Sequence, residues 1–389
     1  MRTLCLAAAV FCSSLMSLAS TDQAKAESPA LRIVLFSPSD VDPPAGVRER
    51  LKEYVMYSQA FYGKWMNHWG YECENLLPVK LDEDGYPEIF FVRGRHDEAS
   101  GVYAKLGFQD EVVQTACRQH ELDPKGQVWW IFTYKGPSSR GFRGGGNAQR
   151  GGTSTSIYDA TVKDHLNIED HLGGDESMNM KSKAAIHELG HAFGLPHIGP
   201  LSEDKLGNSL MGPVIKAYRS RYPDEPRVYL TRASAAMLWK HPLFSGTTKD
   251  RDAVPTLDLS DFSVSHDAGA KSMTATGSID SNYRAHSVVI ANESSATRSD
   301  YWRKCFVGRV AEDGSFEVEI TEPDQADGQL KIVACFNNGA VVGKRPGLGL
   351  ATGFLKRYEF AEGEFQFADG WADKDMSAGA QRRRRQPRK

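Results

Sequence analysis

The 389-residue chain is 40% hydrophobic and 25% charged, a balance that excludes a disordered or membrane-embedded polypeptide and points to a soluble globular protein of two ordinary-sized domains. Its formal charge of −3 hides an asymmetry: Arg382 to Arg385, Arg388 and Lys389 put six positive charges in the last eight residues, and taking those six from −3 leaves −9 on the rest. An acidic body of this kind argues against nucleic acid as a partner.

At the N-terminus, Arg2 precedes an apolar run from Leu4 to Leu18 that is too short to span a bilayer. Ala24-Lys25-Ala26 then offers small residues where a leader is cut, so residues 1–26 read as the signal peptide of an exported protein, with a cut after Ala19 as the alternative. No transmembrane segment is expected once the leader is gone. Cys73, Cys117, Cys305 and Cys335 remain; an oxidising compartment favours one disulfide in each half of the chain, and four buried thiols are the other reading.

A strand, Leu31 to Ser37, follows almost at once and leaves no room for a folded propeptide. Pro43-Pro44-Ala45-Gly46 breaks the chain ahead of a helix over about Val47 to Trp69, marked by Leu51, Val55, Tyr62, Trp65 and Trp69. A strand at Tyr86–Arg93, a helix at Gly107–His120 and an apolar strand at Gln127–Tyr134 continue the alternation, which predicts a mixed α/β layer. Gly136 to Gly152 is rich in glycine but lacks the Lys-Ser/Thr ending of a phosphate loop. It reads either as a flexible connection or, with the strand Thr153–Tyr158, as the rim of a cleft whose edge pairs with an extended peptide. Asp159, Asp164, His165, Asp170, His171 and Asp175 crowd the next loop, a solvated polar stretch or a site for Ca2+ or another second metal, although the spacing fits no EF-hand.

His187-Glu188-Leu189-Gly190-His191-Ala192-Phe193-Gly194-Leu195-Pro196-His197 carries the chemistry. Residues four apart on a helix share a face, so the imidazoles of His187 and His191 can bind one ion, with Glu188 beside them. Ser182 to Phe193 favours helix and turns Ala185, Leu189, Ala192 and Phe193 to the other side. Gly194, without a Cβ, can end the helix and bring His197 to the metal from another direction, and Pro196 forbids continuation. Three neutral nitrogens suit Zn2+ and leave its fourth position open. The chain has 11 histidines in all, too few for three at these offsets to be coincidence.

Downstream stands Asn208-Ser209-Leu210-Met211-Gly212, and here the sequence resembles the metzincin clan of zinc metallopeptidases, whose long motif is followed by a tight turn with a methionine beneath the metal. The resemblance implies His187, His191 and His197 as zinc ligands, Glu188 as general base and Met211 as the floor. It also implies an α+β zincin fold: a mixed twisted sheet with helices, the active-site helix, the Met-turn and a closing helix, matched by Thr231–His241 with Thr231 as its cap. The family within the clan is not assigned. Ile198 is not the Ser, Asp, Glu or Pro that follows the third histidine in matrixins, adamalysins, astacins or serralysins, and Pro213 stands where astacins and serralysins carry a tyrosine ligand.

Residues 27–244 thus read as the catalytic domain and the polar stretch 245–255 as a linker. Short runs at Phe262–Val264, Met273–Ser278, Ser287–Ala291, Lys304–Val307, Phe316–Ile320 and Leu330–Phe336 predict an all-β sandwich over 256–370, either an adhesive or substrate-binding module or a plain stabilising domain, in which nothing specifies chemistry. Residues 371–389 read as a disordered basic tail, either merely solvated or a contact for anionic polymers and surfaces. The functional expectation is a secreted metalloendopeptidase hydrolysing internal peptide bonds of a protein or peptide substrate, Glu188 acting as base beside Zn2+. An exported binding protein on the same scaffold and a zinc hydrolase of a cell-wall amide are the other readings.

Overall fold

The fold is built outward from β1 (Leu31–Ser37), which is buried at all seven positions. A computed structural model describes residues 29–375 except 105–106, 136–140, 298 and 345–348. The segment read as a signal peptide and the arginine-rich end of the tail lie outside the described residues. β1 pairs in parallel with β2 (Ile89–Arg93) on one side and β3 (Val128–Thr133) on the other. A further strand, β4 (Arg143–Asn147), runs antiparallel to β5 (Gly151–Ile157), which pairs in parallel with β3, so that the sheet order is β2-β1-β3-β5-β4. β1 and β3 are buried at every position because both faces of the sheet are covered there. Leu31, Ile33 and Leu35 share a core with α1 (Val47–His68), whereas Val34 and Phe36 point to the other face and pack with α2 (Gln109–His120).

On the α1 side lie the short α3 (Asp175–Asn179) and then α4 (Ser182–Ala192), which lies against β3, β4 and β5. The chain continues through β6 (Asn208–Ser209), α5 (Ile215–Arg219) and β7 (Val228–Tyr229), which pairs with β6, to α6 (Arg232–Leu238) and α7 (Pro242–Ser245). Thr231 caps α6 as expected, its side chain accepting a hydrogen bond from the Ser234 N–H.

The C-terminal part is a sandwich. β8 (Asp258–Asp267), β9 (Ser272–Asp280) and β12 (Ser315–Thr321) form one sheet in the order β12-β9-β8. β10 (Ala285–Ser294), β11 (Lys304–Arg309), β13 (Gly328–Phe336), β15 (Phe354–Ala361) and β16 (Glu364–Phe367) form the other in the order β11-β10-β13-β15-β16, with the two-residue β14 (Val341–Val342) beside β13. Val288, Ile290 and Ile332 face the smaller sheet, but Val289, Ala291, Val333 and Leu350 belong to the same core as α1 and α4. The central strands β10 and β13 of the larger sheet are therefore buried on both faces, and their outer face packs on the N-terminal part.

Four expectations change. Among the described residues no disulfide forms: Cys73, Cys117, Cys305 and Cys335 are all free thiols. Cys305 on β11 pairs with Ala291 and Cys335 on β13 with Ser287, on opposite sides of β10. Two strand spacings put them about 9–10 Å apart before the four-residue offset is added, beyond the reach of a disulfide. Cys73 packs in the α1 core and Cys117 in the α2 core, on opposite faces of the sheet. The second change is in the glycine-rich stretch, which over Arg143–Asn147 is not a flexible connection but the edge strand β4; its first five residues lie outside the described part.

Third, the acidic loop meets its own needs. Asp159 accepts from Thr161 and Lys181, Asp164 from Asn179, and His165 bonds Glu53. Among the described residues one group of histidines, cysteines or carboxylates is placed to share an ion, and it is not in this loop. Fourth, residues 371–375 are docked, with Trp371 packed against Phe262 and Phe354 and Asp375 paired with the buried Lys331 at 2.6 Å. The linker is likewise held along its second half: Lys125 pairs with Asp252, and Asn338 donates to the carbonyls of Asp250 and Ala253. No helix among the described residues is long and apolar enough to cross a membrane.

Candidate active site

α4 presents His187 and His191 one turn apart, as the spacing predicts. It ends at Gly194, whose φ of +98° lies where only glycine is comfortable, and the reversal returns His197 to the same point. One nitrogen from each ring lies within 4.8 Å of the others. His191 Nε2 and His197 Nε2 are 3.1 Å apart, close to the roughly 3.3 Å between two nitrogens on a tetrahedral zinc with Zn–N bonds near 2.05 Å.

Each ring is fixed from behind. His187 Nδ1 bonds the Leu210 carbonyl at 2.8 Å, His191 Nδ1 the Leu195 carbonyl at 2.7 Å, and His197 Nδ1 the Asp300 carboxylate at 2.8 Å. Engaging every Nδ1 leaves the three Nε2 atoms free to converge, the arrangement that fixes tautomer and ring direction in metal sites. Burial pushes His187 well below the usual histidine range and His191 down to about 4, so both are neutral near pH 7, the form that ligates a metal. The donor set fits a single Zn2+ ion.

Glu188 sits on the next position of α4. Burial raises its carboxyl above the ordinary glutamate range, opposed by His197 and by a hydrogen bond from the Gly144 N–H of β4. β4 crosses α4 at very short range: a Cβ at Gly144 would lie 2.8 Å from His191 Cβ and against the Glu188 carbonyl, and Cβ atoms at Gly146 and Gly152 would strike the Ala192 carbonyl. These glycines are present because the strand lies directly on the helix backbone.

Met211, 1% exposed, lies beneath α4, with its sulfur 2.6 Å from where a Cβ at Gly190 would be. The turn closes through the Gly212 N–H to Ser209 carbonyl bond and is tied to the third-ligand segment by the Ile198 N–H to Met211 carbonyl bond. Lys183, one turn before His187, reaches the Gly212 and Pro213 carbonyls at 3.3 and 2.9 Å, and burial pushes its ammonium down to about 7. A cleft of about 350 Å³ opens beside His191 and His197, between Gly144–Gly146 of β4 and Asp300, Arg303 and Leu350 of the sandwich.

No protein-family model and no curated protein matches the chain. Solved structures do. Wild-type OgpA from Akkermansia muciniphila superposes with TM-scores of 0.67 and 0.68 in two crystal structures, at 21% and 22% identity, covering 88% of this chain and 96% and 95% of that one. The chain shares the fold of OgpA. Catalytically inactive OgpA in complex with an O-glycopeptide substrate, glycodrosocin, gives a TM-score of 0.66 at 20% identity, covering 88% of this chain and 95% of that one. The likeness spans both the α/β part and the sandwich, so the two-part architecture is common to both proteins.

All the residues singled out in the sequence, His187, Glu188, His191, Gly194, His197 and Met211, meet at this one place. Sequence reasoning missed Asp300, Tyr301 and Lys183, and placed Gly144 only within a glycine-rich stretch read either as a flexible connection or as a cleft rim. Tyr301 stacks on the His197 ring with centroids 3.8 Å apart and planes at 28°. Its segment, Ser299-Asp300-Tyr301-Trp302, carried one signal, two adjacent aromatics in a connection between strands.

Proposed function

We propose that the protein is a zinc-dependent metalloendopeptidase of the metzincin type, with His187, His191 and His197 as ligands and Glu188 as general base. The observation that carries this reading is the convergence of the three ring nitrogens beside the Glu188 carboxylate. A bound zinc ion would supply Lewis acidity toward the scissile carbonyl and toward water. The remaining work falls to the chain's own groups. Glu188, with its carboxyl raised toward neutrality, takes a proton from the attacking water and returns it to the leaving amine. β4, the sheet's edge strand, pairs its free side with the extended substrate, and the cleft between β4 and the sandwich receives it.

The substrate class we propose is an O-glycosylated protein or peptide. Two features support it: the fold shared with OgpA, which takes an O-glycopeptide substrate, and a cavity of about 660 Å³ lined by Tyr218, Tyr222, Trp302 and Arg221, an aromatic and polar surface of the kind that receives sugar rings. The leader-like residues 1–26 add export to the proposal.

The test is cut-site mapping by mass spectrometry on a mucin-type glycoprotein and its deglycosylated form, with and without a zinc chelator. Chelator-sensitive cleavage next to glycosylated residues is expected. Glu188→Gln is expected to keep one equivalent of zinc and lose about 10²–10⁴-fold in turnover. Wild-type turnover in that variant would remove Glu188 as the base, and equal cutting of the deglycosylated form would remove the glycan requirement.

A further inference from the structure

The two histidines on α4 take their orienting bonds from backbone carbonyls of the N-terminal part, but the third ligand is handled by the sandwich. His197 shares its Nδ1 hydrogen with the Asp300 carboxylate at 2.8 Å, and its ring face is covered by Tyr301. The His197 carbonyl accepts from Arg303 at 3.3 Å, and the Gly199 N–H donates to the Arg303 carbonyl at 2.7 Å. A Cβ at Gly199 would lie 2.6 Å from the Trp302 backbone, so the two segments are in direct apposition. The segment from Ser299 to Arg303 is itself anchored. Ser299 caps its single turn, Arg303 pairs with Glu293 at 2.9 Å, and Lys304 begins β11 of the large sheet.

A carbonyl behind an imidazole fixes its direction; a carboxylate fixes the direction and also raises the basicity of the ring, which strengthens the bond from its other nitrogen to a metal. We infer that Asp300 is a positioning residue of the metal site, and that through it the β-sandwich sets how tightly zinc is held. The sandwich then does more than stabilise the fold. The inference rests on the zinc reading given above. It goes beyond that reading because the ligand motif by itself calls for no second domain.

The experiment measures zinc affinity of the full-length protein by competition with a chromophoric chelator, for wild type, Asp300→Ala and Asp300→Asn, with circular dichroism to establish folding. Asp300→Ala is expected to bind one zinc about 10–100-fold more weakly, and Asp300→Asn, which can still accept the Nδ1 hydrogen but lacks the charge, to show a smaller loss in the same direction. The visible absorption of the cobalt(II)-substituted protein should shift in both variants, a signature that lost packing away from the ion does not produce. If Asp300→Ala does not fold, Asp300→Asn decides: a loss of about threefold or more supports the inference, and wild-type affinity overturns it. Wild type that binds no zinc would overturn the functional reading itself. One tight equivalent in wild type and the same affinity in both variants would overturn this inference alone.

Discussion

The close passage of β4 over α4 makes a sharp comparison between two neighbouring glycines. A Cβ added at Gly144 would sit 2.0 Å from the Glu188 carbonyl oxygen and 2.8 Å from His191 Cβ, whereas one at Gly145 meets nothing within 4 Å. Carbon and oxygen atoms in contact sit about 3.3–3.6 Å apart, so Gly144→Ala must push strand from helix by about 1.3–1.6 Å. Overpacking of this kind costs about 1–3 kcal/mol. For a unit of this size that is a fall of about 2–12 °C in melting midpoint. The same displacement pulls the Gly144 N–H from Glu188 and shifts the edge that we propose holds the substrate, and a misplacement near 1 Å is worth about 10²-fold in rate. Gly145→Ala should melt at or slightly above the wild-type temperature, since alanine loses less chain entropy than glycine. Paired thermal melts and kcat/KM on one peptide substrate provide the assay. Equal melting of the two variants would refute the claim that glycine is present at 144 for close approach.

Other consequences are checkable. His241 and His286 are both buried and pushed down to about 3 by burial, and His241 Nδ1 accepts from the Leu243 N–H as the cap of α7. Both are neutral when folded and titrate near 6.5 when unfolded, so the unfolded chain binds more protons and stability falls as pH drops below about 6.5, by at most about 2.7 kcal/mol per pH unit for the pair. His241→Asn keeps a capping side chain and should reduce that slope by about 1.4 kcal/mol per unit between pH 6.5 and 5; a slope identical to wild type in chemical-denaturation titrations would remove His241 from the account. A fragment ending at residue 255 would uncover the apolar surface that Val289, Ala291, Val333 and Leu350 bury, and is expected to aggregate. A soluble monomeric fragment with wild-type melting behaviour would show that the shared core is not needed.

Elements with a strong local signature were legible from sequence. β1, α1 and β3 carry long apolar or amphipathic runs whose period decides their type, and each lies within a residue or two of its expected bounds. The candidate metal site was legible for the same reason: three histidines and a carboxylate within eleven residues are fixed relative to one another by helix geometry and one glycine turn. β4 was harder, because Arg143-Gly144-Gly145-Gly146-Asn147 has no strand propensity. Its conformation is imposed from outside, by pairing with β5 and by contact with α4 that excludes any side chain.

The contribution of the sandwich was beyond sequence reasoning for a different reason. Asp300 acts 103 residues from His197, and no local pattern distinguishes a carboxylate that will orient an imidazole from one that will face solvent. A fainter trace existed in β10. Val288-Val289-Ile290-Ala291 is continuously apolar instead of alternating, and a continuous run in an antiparallel strand means that both faces are covered. One face of a two-sheet sandwich accounts for Val288 and Ile290; something else had to cover Val289 and Ala291, and among the described residues that cover is the apolar surface of the α/β part. With the sheet docked on that face, the connection between β10 and β11 lies beside the N-terminal part, where Asp300 meets His197.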